Sequence, residues 1–276
     1  MGDGTEAVRS DRRTILALGG HEFSRRRGNE ALRDYMLALA GGPEPRICLL
    51  PTASGDPAEQ IAAFRSSLGG LHCRLSHLSL FRLEHEGVGD LARHLHSKDL
   101  IYVGGGSMVN LLAIWRAHGL DRILRSCWQS GVALAGQSAG AMCWFENGIT
   151  LSAGKPRVAE GMGFLPGTLS VHYARDPERR TCMLGEVKGG LSAGYGIDDG
   201  AGLLFEGTRP IEAFAGRQGA RVVRIEPGEA DGDEVSEMVS RPVPLKPEMP
   251  PSVDSAIAEM RELRRAKVGS GMGRRR

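Results

Sequence analysis

The run Gly136-Gln137-Ser138-Ala139-Gly140 follows directly on the apolar stretch Val132-Ala-Leu-Ala135. A serine flanked by small residues at a strand-to-helix junction is the sequence form of a nucleophile elbow, a tight turn that holds Oγ out of the sheet. Ser138 is therefore the expected nucleophile. Its hydroxyl attacks a carbonyl at neutral pH only if a neighbour takes the proton, and imidazole has the pKa for that task. Of the eight histidines, only His172 lies C-terminal to Ser138. The span between them holds no aspartate and only Glu146 and Glu160, so the Ser, Asp or Glu, His order of the α/β-hydrolases fits poorly. Farther on, Gly196-Ile-Asp198-Asp199-Gly200 puts two carboxylates at a glycine turn, either of which can orient the imidazole. The chemistry is acyl transfer by Ser138, His172 and Asp198 or Asp199, each at an element boundary where loops carry function on a rigid scaffold. An oxyanion needs aimed N–H donors. Ala139, next to the nucleophile, is one, and Gly105 or Gly106, side-chain-free residues before a helix, is the other.

These residues need elements that bring them to one place. From Thr14 to Val103, short apolar runs alternate with segments of helical period, the pattern of repeated β-α units and a parallel sheet. Strands are expected at Thr14 to Leu18, Arg46 to Pro51, Cys73 to Leu80, Leu100 to Val103 and Val132 to Ala135. Helices are expected at Gly28 to Ala40, Pro57 to Leu68, from the Gly104-Gly-Gly-Ser107 loop to His118, and at Leu120 to Gln129. After the elbow helix, on which Trp144 and Phe145 read as core, the chain loosens into Gly-rich connections around Gly154 to Gly167. Leu169 to Val171 then precedes a helix over Pro177 to Val187. Strands near Leu203 and Val222 are expected to extend or flank the same sheet. The fold class is a doubly wound, mostly parallel α/β sheet over residues 14–240, after a disordered segment 1–13. Residues 241–276 read as a proline-rich linker, a short helix and a basic tail.

Composition bounds the alternatives. The 276 residues are 41% hydrophobic and 25% charged, with a formal net charge of +2, so no global field favours a polyanion and no nucleic-acid partner is expected. The five cysteines form no Cys-x-x-Cys pair, which argues against disulfide staples and a metal site. No apolar run reaches the ~20 residues of a membrane span, and the N-terminus lacks a signal-peptide core, so a cytoplasmic protein is expected, with no membrane partner. A homodimer is compatible with the sequence. Gly104 to Gly106 lacks the Lys-Ser or Lys-Thr that a phosphate-binding loop would carry.

Taken singly, Gly-x-Ser-x-Gly also serves as a plain strand-helix turn, and Asp-Gly sequences form turns everywhere. The four separated segments together resemble the peptidase E family of serine peptidases, related to cyanophycinase and built on the class I glutamine amidotransferase-like fold. Gly104-Gly-Gly-Ser resembles its glycine-rich loop, Gly-Gln-Ser-Ala-Gly its nucleophile turn, Val-His-Tyr its histidine segment and Gly-Ile-Asp-Asp-Gly its acidic turn. The resemblance covers roughly Thr14 to Ile225. It implies Ser138 as nucleophile, His172 as base, and Asp199 in preference to Asp198 as the orienting acid. It also implies hydrolysis of a dipeptide or short peptide with an acidic residue before the scissile bond, and no cofactor. Gln137, Arg175, Arg179 and Arg180 are the substrate-binding candidates, the arginines because a guanidinium pairs with a carboxylate. The rival readings are a β-aspartyl isopeptidase and a non-catalytic small-ligand-binding protein on the same scaffold.

Overall fold

The computed structural model describes residues 13–20, 30–82, 90–227, 234–238 and 240–242. The terminal segments 1–12 and 243–276, with the proline-rich linker, final helix and basic tail expected there, lie outside the described residues.

Strand β1 (Thr14–Leu18) is followed by helix α1 (Glu30–Ala40), β2 (Arg46–Leu50), α2 (Ala58–Leu68) and β3 (Arg74–His77). Then come α3 (Leu91–His96), β4 (Leu100–Val103), α4 (Met108–His118), α5 (Leu120–Gln129) and β5 (Ala133–Gln137). The strands pair in parallel in the order β1-β5-β4-β2-β3. Side chains alternate across a strand, and the two faces are separately packed. Ile15 and Ala17 of β1, Cys48 and Leu50 of β2, and Ile101 and Val103 of β4 join one core with Leu111, Trp115 and Leu124 of α4 and α5. Leu16, Leu18, Ile47, Leu49, Leu100 and Tyr102 join the other with Met36, Phe64 and Leu68 of α1 and α2. Strands buried on both faces must be apolar throughout, which is why β1, β2, β4 and β5 read as continuous hydrophobic runs. The third strand is shorter than the Cys73 to Leu80 run suggested, because the chain turns at Leu80–Arg82 instead of continuing to pair.

The elbow helix α6 (Ala139–Met142) is a single turn, and Trp144 and Phe145 lie beyond it, Phe145 opening strand β6 (Phe145–Thr150). Both are buried, as expected of core residues, though not on a helix. A second correction concerns the later strands. The chain adds β7 (Arg157–Glu160), β8 (Leu165–Val171), α7 (Pro177–Lys188), β9 (Gly194–Ile197), β10 (Ala201–Glu206), β11 (Arg209–Ala215), β12 (Val222–Glu226), β13 (Glu234–Met238) and β14 (Ser240–Pro242). Only β10, β11 and β14 extend the first sheet, with β10 antiparallel to β1. The others form a separate six-stranded sheet, β13-β12-β9-β8-β6-β7. Its inner residues Phe145, Leu169, Val171, Tyr195 and Ile197 share the core of the first sheet, and its outer Ile149, Val223 and Ile225 pack with Met183 and Val187 of α7. Strand length and hydrophobicity do not reveal which of two sheets an element joins. That choice rests on cross-strand contacts far apart in sequence.

Candidate active site

Ser138 ends β5 at its C-terminal edge, between β1 and β4, and opens the single-turn helix α6 with φ 53° and ψ −116°. A non-glycine residue with such a backbone is strained and needs its surroundings to hold it. Its N–H donates to the Leu18 carbonyl at 3.1 Å, and its own carbonyl accepts from Ala141 and Met142. The flanking glycines are required by packing. A Cβ on Gly136 would lie 2.0 Å from the Gly140 carbonyl oxygen, and one on Gly140 would lie 2.4 Å from that of Val103. The turn thus wedges its hydroxyl upward while strand and helix backbones pass in near contact.

His172 follows β8 of the second sheet and also has a left-handed backbone, φ 55°. Its Nε2 lies 3.0 Å from Ser138 Oγ, and its Nδ1 is hydrogen-bonded to Asp199 Oδ1. Asp199 lies in the turn that carries the chain from β9 in the second sheet to β10 in the first, so the three side chains come from two sheets and the crossover between them. Asp198 is turned elsewhere. Its Oδ1 accepts from the Ala174 N–H at 2.8 Å and its Oδ2 from the Arg221 N–H at 3.0 Å, so it ties the turn to two neighbouring loops. Both carboxylates are buried.

Gly105 lies close to Ser138, where a Cβ would come 3.3 Å from Ser138 Cβ, and its N–H makes no hydrogen bond within the described residues. Ala139, the first residue of α6, likewise leaves its N–H without an acceptor there. One helical turn has little macrodipole, so an anion held here would be met by local N–H dipoles rather than by a helix field. Gly106 is exposed, with its α-carbon pressed against the Ala53 carbonyl, which a Cβ would approach to 2.2 Å.

A cavity of about 310 Å³ opens at Ser138 and His172, with Gly105 and Gln137 at its rim. A second, of about 530 Å³, also reaches His172 and is lined by Arg175 and Arg179 together with Asp176 and Glu178. Arg175 is mostly exposed, and its Nη1 lies 3.3 Å from Asp199 Oδ2. Arg179 is 5% exposed, and burial pushes its guanidinium below the ordinary value despite Asp176 at 3.4 Å. Its Nη1 makes no hydrogen bond among the described residues. Arg180 is exposed on α7 and lines neither cavity.

Two features escaped the sequence reading. Gly20, just beyond β1, sits so close to the His172 and Asp199 side chains that a Cβ would lie 2.4 Å from His172 Cε1 and 2.8 Å from Asp199 Oδ1. The signal was a Gly-Gly pair directly after a buried strand. The walls of the smaller cavity, Gln60, Ala63, Phe64 and Tyr102, carried no local signal, because each reads as ordinary helix or strand.

Residues 15–212 match the model of peptidase family S51. The chain belongs to that family. It is 41% identical over 233 residues to an uncharacterized peptidase, YgaJ, of Bacillus subtilis (strain 168), covering 84% of this chain and 97% of the relative. The crystal structure of a peptidase from an acI-B1 Actinobacterium superposes with a TM-score of 0.62 at 20% identity, over 82% of this chain and 96% of that one. A peptidase E candidate from Listeria monocytogenes EGD-e superposes at 0.56 and 17% identity, over 74% and 98%. As a member of family S51, the protein is a serine-type peptidase of peptidase E-like α/β fold. None of its described helices is long and apolar enough to cross a membrane.

Proposed function

We propose that this S51 peptidase hydrolyses dipeptides and short peptides through an acyl-enzyme, with Ser138, His172 and Asp199 as the catalytic triad. The observation that carries the reading is the continuous hydrogen-bonded run from Ser138 Oγ through the His172 ring to Asp199. His172 Nε2 takes the hydroxyl proton as Oγ attacks the carbonyl carbon. The oxyanion accepts from the N–H groups of Ala139 and Gly105, donors whose individual loss typically costs ~3 kcal/mol. His172 passes its proton to the leaving amine, the C–N bond breaks, and an ester to Ser138 remains. Water then attacks this ester with His172 again as base, releasing the acid and restoring the hydroxyl. Throughout, Asp199 holds the Nδ1–H tautomer and stabilises the imidazolium. Asp198 is assigned a supporting role, since both its oxygens are used by backbone N–H groups.

Arg175 and Arg179 line the cavity of about 530 Å³ beside His172, with Asp176 and Glu178, and of the two the mostly exposed Arg175 is the group that would meet a substrate carboxylate. The resemblance to peptidase E places such a carboxylate on the residue before the scissile bond. Fluorophosphonate labelling tests the triad. Wild type should label, and Ser138→Ala and His172→Ala should not; an unlabelled wild type would favour a ligand-binding protein. Profiling with α- and β-aspartyl dipeptides separates a dipeptidase from an isopeptidase.

A further inference from the structure

Among the described residues, three other than glycine have a left-handed backbone: Ser138, His172 and Asp56, with φ of 53°, 55° and 55°. Such backbones persist where the surroundings hold them, and they collect at functional sites. Two of the three are the nucleophile and its base. The third is a buried aspartate outside the triad, 3% exposed. It lies in the connection from β2 to α2, at the same C-terminal edge of the parallel sheet as Ser138.

That connection is the support of the oxyanion loop. Gly104 N–H donates to the Leu50 carbonyl at 3.1 Å and Ser107 N–H to the Ala53 carbonyl at 2.7 Å, so both ends of the glycine loop hang from the end of β2 and the turn after it. Gly106 backs onto the same Ala53 carbonyl, with no room for a Cβ between them. Gly105, in the middle, has no hydrogen bond of its N–H among the described residues to fix it. Its position is therefore inherited from Ala53.

Ala53 is the middle residue of a single 3-10 turn, Thr52–Ser54, and a turn that short does not hold its shape alone. On one side Thr52 Oγ1 accepts from Trp115 Nε1 of α4 at 3.3 Å. On the other the chain reverses at Asp56, whose N–H donates to the Pro51 carbonyl at 3.3 Å. Its Oδ2 accepts from Ser79 Oγ at 2.6 Å and from the Phe81 N–H at 3.2 Å, which ties the turn after β2 to the turn after β3. Its Oδ1 is buried without a hydrogen bond among the described residues, an arrangement that costs stability. Strain and desolvation thus fall together on this one residue beneath the glycine loop.

We infer that Asp56 is a positioning residue of the reaction: through the Thr52–Ser54 turn and the Ala53 carbonyl it aims the Gly105 N–H at the developing oxyanion. This rests on the triad reading with Gly105 as a donor, and it requires no contact between Asp56 and substrate.

The test uses the full-length chain and the second-order rate of fluorophosphonate labelling across pH, since the phosphoryl oxygen of the probe takes the place of the oxyanion. Thermal unfolding shows whether each variant is folded. Asp56→Gly keeps the left-handed backbone and removes the acceptor. Its plateau rate should fall by about 10-fold or more, on the scale of a displaced oxyanion donor, while the midpoint of the pH profile, which reports His172, stays at the wild-type value. Asp56→Asn retains an acceptor oxygen and tolerates the backbone, and should label within about threefold of wild type. Ser79→Ala removes one donor to Asp56 Oδ2 and should slow labelling in the same way. A folded Asp56→Gly at the wild-type plateau rate overturns the inference while the triad stands; where that variant does not fold, a folded Ser79→Ala at the wild-type rate does so. A shifted midpoint, which would place the defect at the base, overturns it too, as does an Asp56→Asn rate as low as that of Asp56→Gly. A wild type that does not label overturns the triad reading, and the inference with it.

Discussion

Gly20→Ala is the sharpest probe of how the site is held. The residue has φ 156°, in the region that favours glycine, and its missing side chain leaves the space in which the His172 and Asp199 side chains meet. An alanine Cβ would fall 2.4 Å from His172 Cε1, 2.9 Å from Nδ1 and 2.8 Å from Asp199 Oδ1, whereas ordinary contact begins at 3.4 Å. Something must retreat by about 1 Å. The glycine side cannot give easily, because Gly19 donates to the Ala201 carbonyl at 3.0 Å and is itself packed on the Asp198 carbonyl. The imidazole is the freer partner, and moving it away stretches the 3.0 Å contact with Ser138 Oγ toward a distance at which no hydrogen bond survives. A misplacement of ~1 Å costs on the order of 10²-fold in rate, or about 2.7 kcal/mol of barrier. The assay is the second-order rate of fluorophosphonate labelling, followed by peptide turnover, with thermal unfolding to show that the variant is folded. Gly41→Ala is the control, since Gly41 has φ 69° and a Cβ there would meet nothing within 4 Å, so it reports backbone strain alone. A folded Gly20→Ala protein that labels at the wild-type rate would refute the claim that this glycine sets the position of the base.

The two adjacent aspartates should separate by kind of defect. Asp199→Asn leaves the shape intact but removes the charge that holds the Nδ1–H tautomer, so kcat should fall by up to ~10⁴-fold with little change in unfolding temperature. Asp198→Ala strands the Ala174 and Arg221 N–H groups, and should cost about 1–3 kcal/mol in denaturant unfolding while turnover per folded molecule falls far less. Reversal of that pattern would exchange their roles. Burial lowers the His94 pKa below its ordinary 6.5, with Lys98 adding to the effect beside Cys48. The unfolded chain therefore binds a proton more readily than the native one, and stability is lost as pH falls below 6.5 toward the lower native value. His94→Gln should flatten that part of the unfolding-temperature profile; an unchanged slope would count against it.

Much of this protein was legible because its signals are local. Two-sided burial forces β1, β2, β4 and β5 to be apolar at their buried positions, and the close backbone passage at Gly136 and Gly140 forces small residues around Ser138. The uniqueness of His172 beyond the elbow needed only the order of residues along the chain. Tertiary structure alone decided that the later strands divide between two sheets, because pairing partners lie tens of residues apart and leave no mark on strand periodicity. It also turned Asp199, and not Asp198, toward the imidazole. Neighbours in a turn face different ways, and one was already engaged by Ala174 and Arg221 while the other faced the imidazole. The same holds for the two cavities that share His172, where α2 and strand residues converge on one and the start of α7 on the other. Composition fixes which groups a chain possesses, but only packing fixes which of them share a space.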